Sequence, residues 1–226
     1  MHIIPLHRWD MTPKEAVQLQ RELAGRVDSR RPLAGFELVA GADISYNKFN
    51  PTMYACVIVY RVSDGAVIEK QTASCETPFP YVPGLLTFRE APALLEAFAK
   101  LKSVPDVIML DGQGLAHPRR FGLASHIGYW LQTPTVGCAK SLFVGTYKKL
   151  GVRPGALARL MDKDEQIGFA VRTRRGVKPV FVSVGHRIDL ASAIRVVLAT
   201  TRGYRIPEPT RLAHLRVNEL RRAAPC

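Results

Sequence analysis

Asp43 interrupts an apolar run, Val39-Ala40-Gly41-Ala42-Asp43-Ile44, and Asp111 closes another, Val107-Ile108-Met109-Leu110-Asp111. A carboxylate carried into apolar surroundings must be paired, hydrogen-bonded or metal-bound. Two acids delivered by strands of one sheet can converge, and converging carboxylates repel unless a cation sits between them. Hard divalent ions prefer oxygen donors, so Mg²⁺, with Mn²⁺ as a substitute, suits such a pair. The chain offers no Cys/His ligand cluster that would favour a softer metal. Each acid also has a plainer reading: Asp43 caps a turn at Ser45-Tyr46-Asn47, and Asp111 opens one at Gly112. Glu90 is a third acid of interest. Thr87-Phe88-Arg89-Glu90 matches a capping box. Pro92 would then lie beyond the first helical turn, where proline is costly, so the cap does not settle the role of Glu90. Between Asp111 and His117 the chain is glycine-rich but has neither P-loop nor dinucleotide-binding spacing. Close backbone approach to a ligand is the better reason for those glycines.

These acids need strands to carry them. Thr12-Pro13-Lys14-Glu15 combines a hydroxyl cap, an early proline and a Glu three residues after the cap, and predicts a helix over 13–27. Runs at 37–46, 54–62 and 66–75, separated by short connections, read as an antiparallel meander. A helix follows over 87–102, with Leu94, Leu95, Phe98 and Leu101 on one face. The four apolar residues 107–110 read as a buried central strand that delivers Asp111 at its C-terminal end. A helix at 119–132, strands at 135–138, 166–172 and 179–184, and helices at 189–201 and 209–222 complete the pattern. Strands that meander and then alternate with helices predict one α/β domain over residues 1–226, a mixed sheet flanked by helices. On the last helix, His214 lies away from Leu212 and Leu215, which are taken as its apolar stripe.

The chain has 226 residues, 47% hydrophobic and 23% charged, ample for a real core. Lys and Arg number 32 against 19 Asp and Glu, a net charge of +13. No fold requires that excess, but it attracts polyanions, of which nucleic acid is the commonest. Arg119-Arg120, Lys148-Lys149, Arg172, Arg174-Arg175, Arg216 and Arg221-Arg222 are candidate phosphate contacts that would not read sequence. Cys56, Cys75, Cys138 and Cys226 show no C-x-x-C pairing, which fits a reducing compartment rather than a zinc site. There is no signal-peptide pattern and no apolar run long enough to span a bilayer. The expectation is a soluble, cytoplasmic monomer.

Seven blocks in order resemble the endonuclease V family. They are residues 39–46, Pro80-Tyr81-Val82-Pro83-Gly84-Leu85-Leu86-Thr87-Phe88-Arg89-Glu90, 111–119, 124–128, 137–141, 183–186 and 207–214. Together they span most of the chain. The resemblance implies a ribonuclease H-like fold, in which acids from the first and fourth strands meet at the sheet centre. It implies that Asp43, Glu90 and Asp111 bind the metal, and that Lys140 and His214 complete the active site. Pro80-Tyr81-Val82-Pro83 resembles a strand-separating wedge, two prolines stiffening a loop whose Tyr can stack where a base has left. Gly84, Leu85, Gly112 and His117 match a pocket for a flipped base. The implied activity is DNA repair: an endonuclease recognises deoxyinosine, which is deaminated adenine. It hydrolyses the second phosphodiester bond on the 3′ side, leaving a 3′-hydroxyl and a 5′-phosphate. Competing readings are an endoribonuclease acting on inosine in RNA, a different ribonuclease H-like nuclease such as a junction resolvase, and a non-catalytic nucleic-acid binding protein.

Overall fold

The computed structural model describes residues 1–47 and 50–224; Cys226 lies outside the described residues. Helix α1 (Pro13–Ala24) begins at the expected cap, with Thr12 and Glu15 each bonding the other's backbone. Strands β1 (Leu38–Tyr46), β2 (Thr52–Arg61) and β3 (Val67–Glu76) form the antiparallel meander. Then come α2 (Leu86–Ala99), β4 (Val107–Leu110), α3 (Leu123–Leu131) and β5 (Thr135–Ala139). The chain continues through β6 (Thr146–Tyr147), β7 (Leu157–Asp162), β8 (Glu165–Val171), β9 (Val180–His186), α4 (Leu190–Ala199) and α5 (Glu208–Ala223).

All nine strands share one mixed sheet, ordered β3-β2-β1-β4-β5-β9-β8-β7-β6. Its centre is parallel, β4 lying between β1 and β5. The four residues of β4 are fully buried, as apolar strands covered on both faces must be. Helices α2 and α3 cover one face, packing Leu94, Phe98 and Ile127 on Ala40, Ala42 and Ile108. Helix α4 covers the other through Ala193, Val196 and Val197 against Val39, Met109 and Val182.

The structure departs from the sequence expectations in instructive places. The hairpin β6–β7 is new. Its main strand, Leu-Ala-Arg-Leu-Met-Asp, has helix-favouring composition, and pairing with β8 overrides it. Helix α3 starts at Leu123 rather than 119, because residues 119–122 turn through Arg120 at φ 55°. Helix α2 starts at Leu86, with Leu85 at the cap position and no side-chain cap. Thr87 is therefore inside the helix, and Glu90 is its fifth residue rather than half of a capping box.

Helix α5 lies directly on β1. Gly41, Asp43 and Ser45 point from alternate positions of one strand face. A Cβ on Gly41 would come within 2.1 Å of the Pro209 backbone, so glycine is what lets the helix approach. That closeness leaves room only for small side chains. The buried stripe of α5 includes Thr210, Ala213 and Val217; of the expected Leu212–Leu215 stripe, Leu212 packs half-buried beside it, whereas Leu215 is 48% exposed.

Candidate active site

Asp43 sits inside β1 beside Cys56 of β2, not at a turn. The parallel register ends with Ala42 opposite Leu110, so Asp111 emerges from β4 next to Asp43. From α5, His214 donates through Nδ1 to Asp43 Oδ2 at 2.7 Å. One carboxylate oxygen from each aspartate and one His214 ring nitrogen lie within 4.8 Å of one another. Lys140, the residue after β5, forms an ion pair with Asp111 Oδ2. Four residues named from sequence are thus brought together by two strands, a strand end and a helix.

Glu90 stands outside that tight group but within its field. Burial pushes its carboxyl up to about 8, and the charges of Asp43 and Asp111 push the same way against Arg89. Burial also lifts Asp43 to about 6, reinforced by Asp111 and opposed by Lys140 and His214. Burial and neighbouring negative charge outweigh Lys140 and His214 at Asp43 and Arg89 at Glu90, so the group has a net deficit of positive charge. The tight donor set, two carboxylates and an imidazole with a third carboxyl nearby, is hard and oxygen-rich, and so fits a divalent cation of the magnesium type.

The support behind His214 is a row on α5. Asn218 donates to the His214 carbonyl at 2.8 Å and accepts from Ser45 Oγ at 3.0 Å. Arg221 donates to the same Ser45 hydroxyl at 2.8 Å. Residues 214, 218 and 221 follow one helical face onto β1. Sequence reading had no reason to select Asn218, since its role appears only when the helix is laid on the strand.

Beside the acids is a cavity of about 320 Å³, lined mostly by apolar surface. Asp111 and Lys140 border both the acid cluster and this cavity. Tyr81, Val82, Pro83 and Gly84 form part of its wall, with Gly112 and His117. Pro80 lies on the surface outside it. Leu85 also does not line it. Its side chain is 1% exposed and packs with Ala16, Phe79 and Phe88 of a separate small core, while Leu86 and Thr87 take places on the wall. The same cavity is lined by Tyr81, which is 65% exposed, and by Leu142 and Phe143 at 42% and 44%. The apolar run Leu142-Phe143-Val144 just after Lys140 was the available sequence signal for this wall.

The basic clusters divide. Arg119 bonds Gln20 and the Gly84 carbonyl, and Arg120 holds Asp162 and Glu165 at 2.7 Å each. Arg172 donates to the carbonyls of Gly151 and Val177, and Arg216 pairs with Glu219. Lys148, Lys149, Arg174, Arg175 and Arg222 are exposed. No described helix is long and apolar enough to cross a membrane.

Acids gathered where the parallel pairing of β1 and β4 ends in a mixed sheet, beside a Lys and a His, define a nuclease of the ribonuclease H-like class. The Endonuclease V family profile matches residues 20–215. The chain belongs to the endonuclease V family and is an endonuclease. It is 49% identical over 215 residues to Endonuclease V of Dehalococcoides mccartyi, covering 95% of this chain and 96% of that one. The crystal structure of Endonuclease V from Bacillus subtilis superposes with a TM-score of 0.92 at 32% identity, covering 98% of both chains. A Ciona intestinalis Endonuclease V matches with a TM-score of 0.83 at 29% identity, over 94% of this chain and 99% of that one. It was crystallised with a 23mer DNA containing an inosine followed by a ribo-adenosine.

Proposed function

We propose that this chain is a Mg²⁺-dependent endonuclease that recognises deoxyinosine in DNA. It hydrolyses the second phosphodiester bond on the 3′ side, leaving a 3′-hydroxyl and a 5′-phosphate. The observation that carries the reading is the adjacency of the apolar cavity to the acid cluster, with Asp111 and Lys140 bordering both. A base turned out of a helix into that cavity leaves its own backbone beside the acids. The Ciona relative's complex with inosine-containing DNA supports the choice of lesion.

Asp43, Asp111 and Glu90 would hold the ion. When bound, Mg²⁺ supplies Lewis-acid polarisation of the scissile phosphate and activation of water. The chain's own groups do the rest. Lys140 presents an ammonium to the phosphate from the edge of the acid cluster. His214 is oriented by its Nδ1 bond to Asp43, which leaves Nε2 for proton transfer to or from the reacting oxygens. Tyr81, on a loop stiffened by Pro80 and Pro83, fills the space of the displaced base. Val82, Pro83, Gly84, Gly112 and His117 close the base pocket, and Leu85 supports it from the core behind. The exposed Lys148, Lys149, Arg174 and Arg175 bind flanking phosphates without regard to sequence.

The proposal extends to a single domain over 1–226 that works as a monomer in the cytoplasm, where cysteines such as Cys56, Cys75 and Cys138 stay reduced. The test is a cleavage panel of duplex DNA, single-stranded DNA and single-stranded RNA. Each is used with and without one inosine, in Mg²⁺, Mn²⁺ or chelator. Inosine-dependent cutting of DNA that chelator abolishes is the expected result. Efficient cutting of RNA alone would replace the DNA reading with the endoribonuclease one.

A further inference from the structure

A glutamine with no exposed surface sits on the first helix, 64 positions in sequence from Gly84 in the loop it contacts. Gln20 is 0% exposed on α1, whose other inward residues are apolar. A buried amide is costly unless all of its polar atoms are used. In Gln20 they are all used. Nε2 donates to the carbonyls of Gly84 and Phe121, each at 3.0 Å, and Oε1 accepts from Arg119 Nε at 2.5 Å. The amide can face only one way, because reversal would set its oxygen against two carbonyls and its NH₂ against a guanidinium.

The Gly84 carbonyl is where this network converges. Besides Gln20, it accepts from Arg119 Nη2 at 2.7 Å and from His117 Nε2 at 3.0 Å. His117 Nδ1 in turn accepts from the Arg119 backbone N–H at 3.2 Å. Both ring nitrogens of His117 are thereby committed, and the imidazole presents its ring rather than a free donor to the cavity. Gly84 has φ +82° and joins the Pro80–Pro83 loop to the start of α2, the helix that carries Glu90. Phe121 is the last residue before Gly122, the cap of α3. Gln20 therefore ties together the starts of two helices on either side of the cavity.

We propose that Gln20 is a positioning residue for substrate capture, holding the wedge loop and pocket wall in register through the Gly84 and Phe121 carbonyls. This rests on the reading of the cavity as the base pocket. Gln20 touches neither the acids nor the cavity surface, so its loss acts through the loop it holds. Gln20→Leu, at a similar side-chain size, strands the Phe121 carbonyl and Arg119 Nε and removes one of the three donors that hold the Gly84 carbonyl. Arg119→Lys keeps the positive charge but loses the forked contact to Gln20 and Gly84, on a residue that is partly exposed.

The experiment compares wild type, Gln20→Leu and Arg119→Lys in steady-state cleavage of an inosine-containing duplex, together with the melting shift produced by Mg²⁺. The expected result is a KM raised about tenfold or more in both variants, with kcat within about threefold and the Mg²⁺ shift intact. Displacement of a substrate-holding loop by a fraction of an ångström has costs of this order. If Gln20→Leu does not melt cooperatively, Arg119→Lys decides by the same split. Unchanged KM in a folded variant overturns the proposal. So does loss of cooperative melting in both variants, since the network would then hold the fold rather than the loop. Wild-type cutting without regard to inosine would sink the functional reading as well; inosine-dependent wild-type cutting with wild-type KM in the variants sinks this proposal alone.

Discussion

At the scale of single residues, the cluster is a place where stability is given up for chemistry. Asp43 and Glu90 are held in surroundings that raise both carboxyls, first by burial, then by Asp111 at Asp43 and by both aspartates at Glu90. Their ordinary values are 3.8 and 4.5, and in the fold they reach about 6 and about 8. A raised folded value means that the contribution to stability is full below the unfolded value and is lost as pH rises through the folded one. The metal-free protein should therefore lose stability, relative to the double variant Asp43→Asn with Glu90→Gln, between about pH 4 and about pH 8. Thermal melts in chelator across that range measure the widening gap. The double variant should also lose cleavage and the Mg²⁺-induced melting shift. A constant gap with pH would show that the carboxyls are not strained in this way.

At the scale of elements, the site depends on how closely α5 lies on β1. Gly41 permits the approach, and Asp43–His214 and Ser45–Asn218 are contacts made across it. Gly41→Ala places a methyl against the Pro209 backbone, which neither a rotamer change nor a side-chain shift relieves. The helix must move. Overpacking of this kind costs about 1–3 kcal/mol, and denaturant unfolding should register it. Cleavage should fall further than the folded fraction does, because His214 moves with the helix. Activity that merely tracks the folded fraction would argue that the His214–Asp43 contact is dispensable.

At the scale of the whole molecule, the histidines set the acid limit. His117 and His186 are lowered to about 4 by burial, and His126, wholly enclosed, is held well below the ordinary histidine value by burial and by His7. His126 is packed among Phe88, Phe121 and the N-terminal His7 and Trp9, and His7 accepts from it and from Trp130 through the same ring nitrogen. Lowered folded values mean that the unfolded chain binds more protons below 6.5, so these residues cost stability as pH falls from there towards 4. His126→Phe keeps an aromatic ring and removes one such group. Its stability relative to wild type should rise steadily as pH is lowered from about 6.5 towards about 4, measured by urea titration at each pH. A gap that does not change with pH would remove His126 from the acid transition.

The sequence by itself determined the elements and the acids they carry, because strand and helix periods and a charge inside an apolar run are local properties of the chain. Asp43 and Asp111 were legible in that way, and Thr12 and Glu15 marked the start of α1 to the residue. Glu90 was not, since its spacing imitates a cap that only the true start of α2 at Leu86 excludes. The tertiary structure alone decided what depends on distance between remote segments. It brought His214 to Asp43, turned Leu85 into a core rather than the cavity, and buried Thr210, Ala213 and Val217 of α5 while leaving Leu215 exposed. It also spent the Arg119 side chain on Gly84 and Gln20 rather than on phosphate. Close packing and hydrogen-bond convergence join residues up to 176 positions apart, as Ser45 and Arg221 are, and no local pattern encodes them.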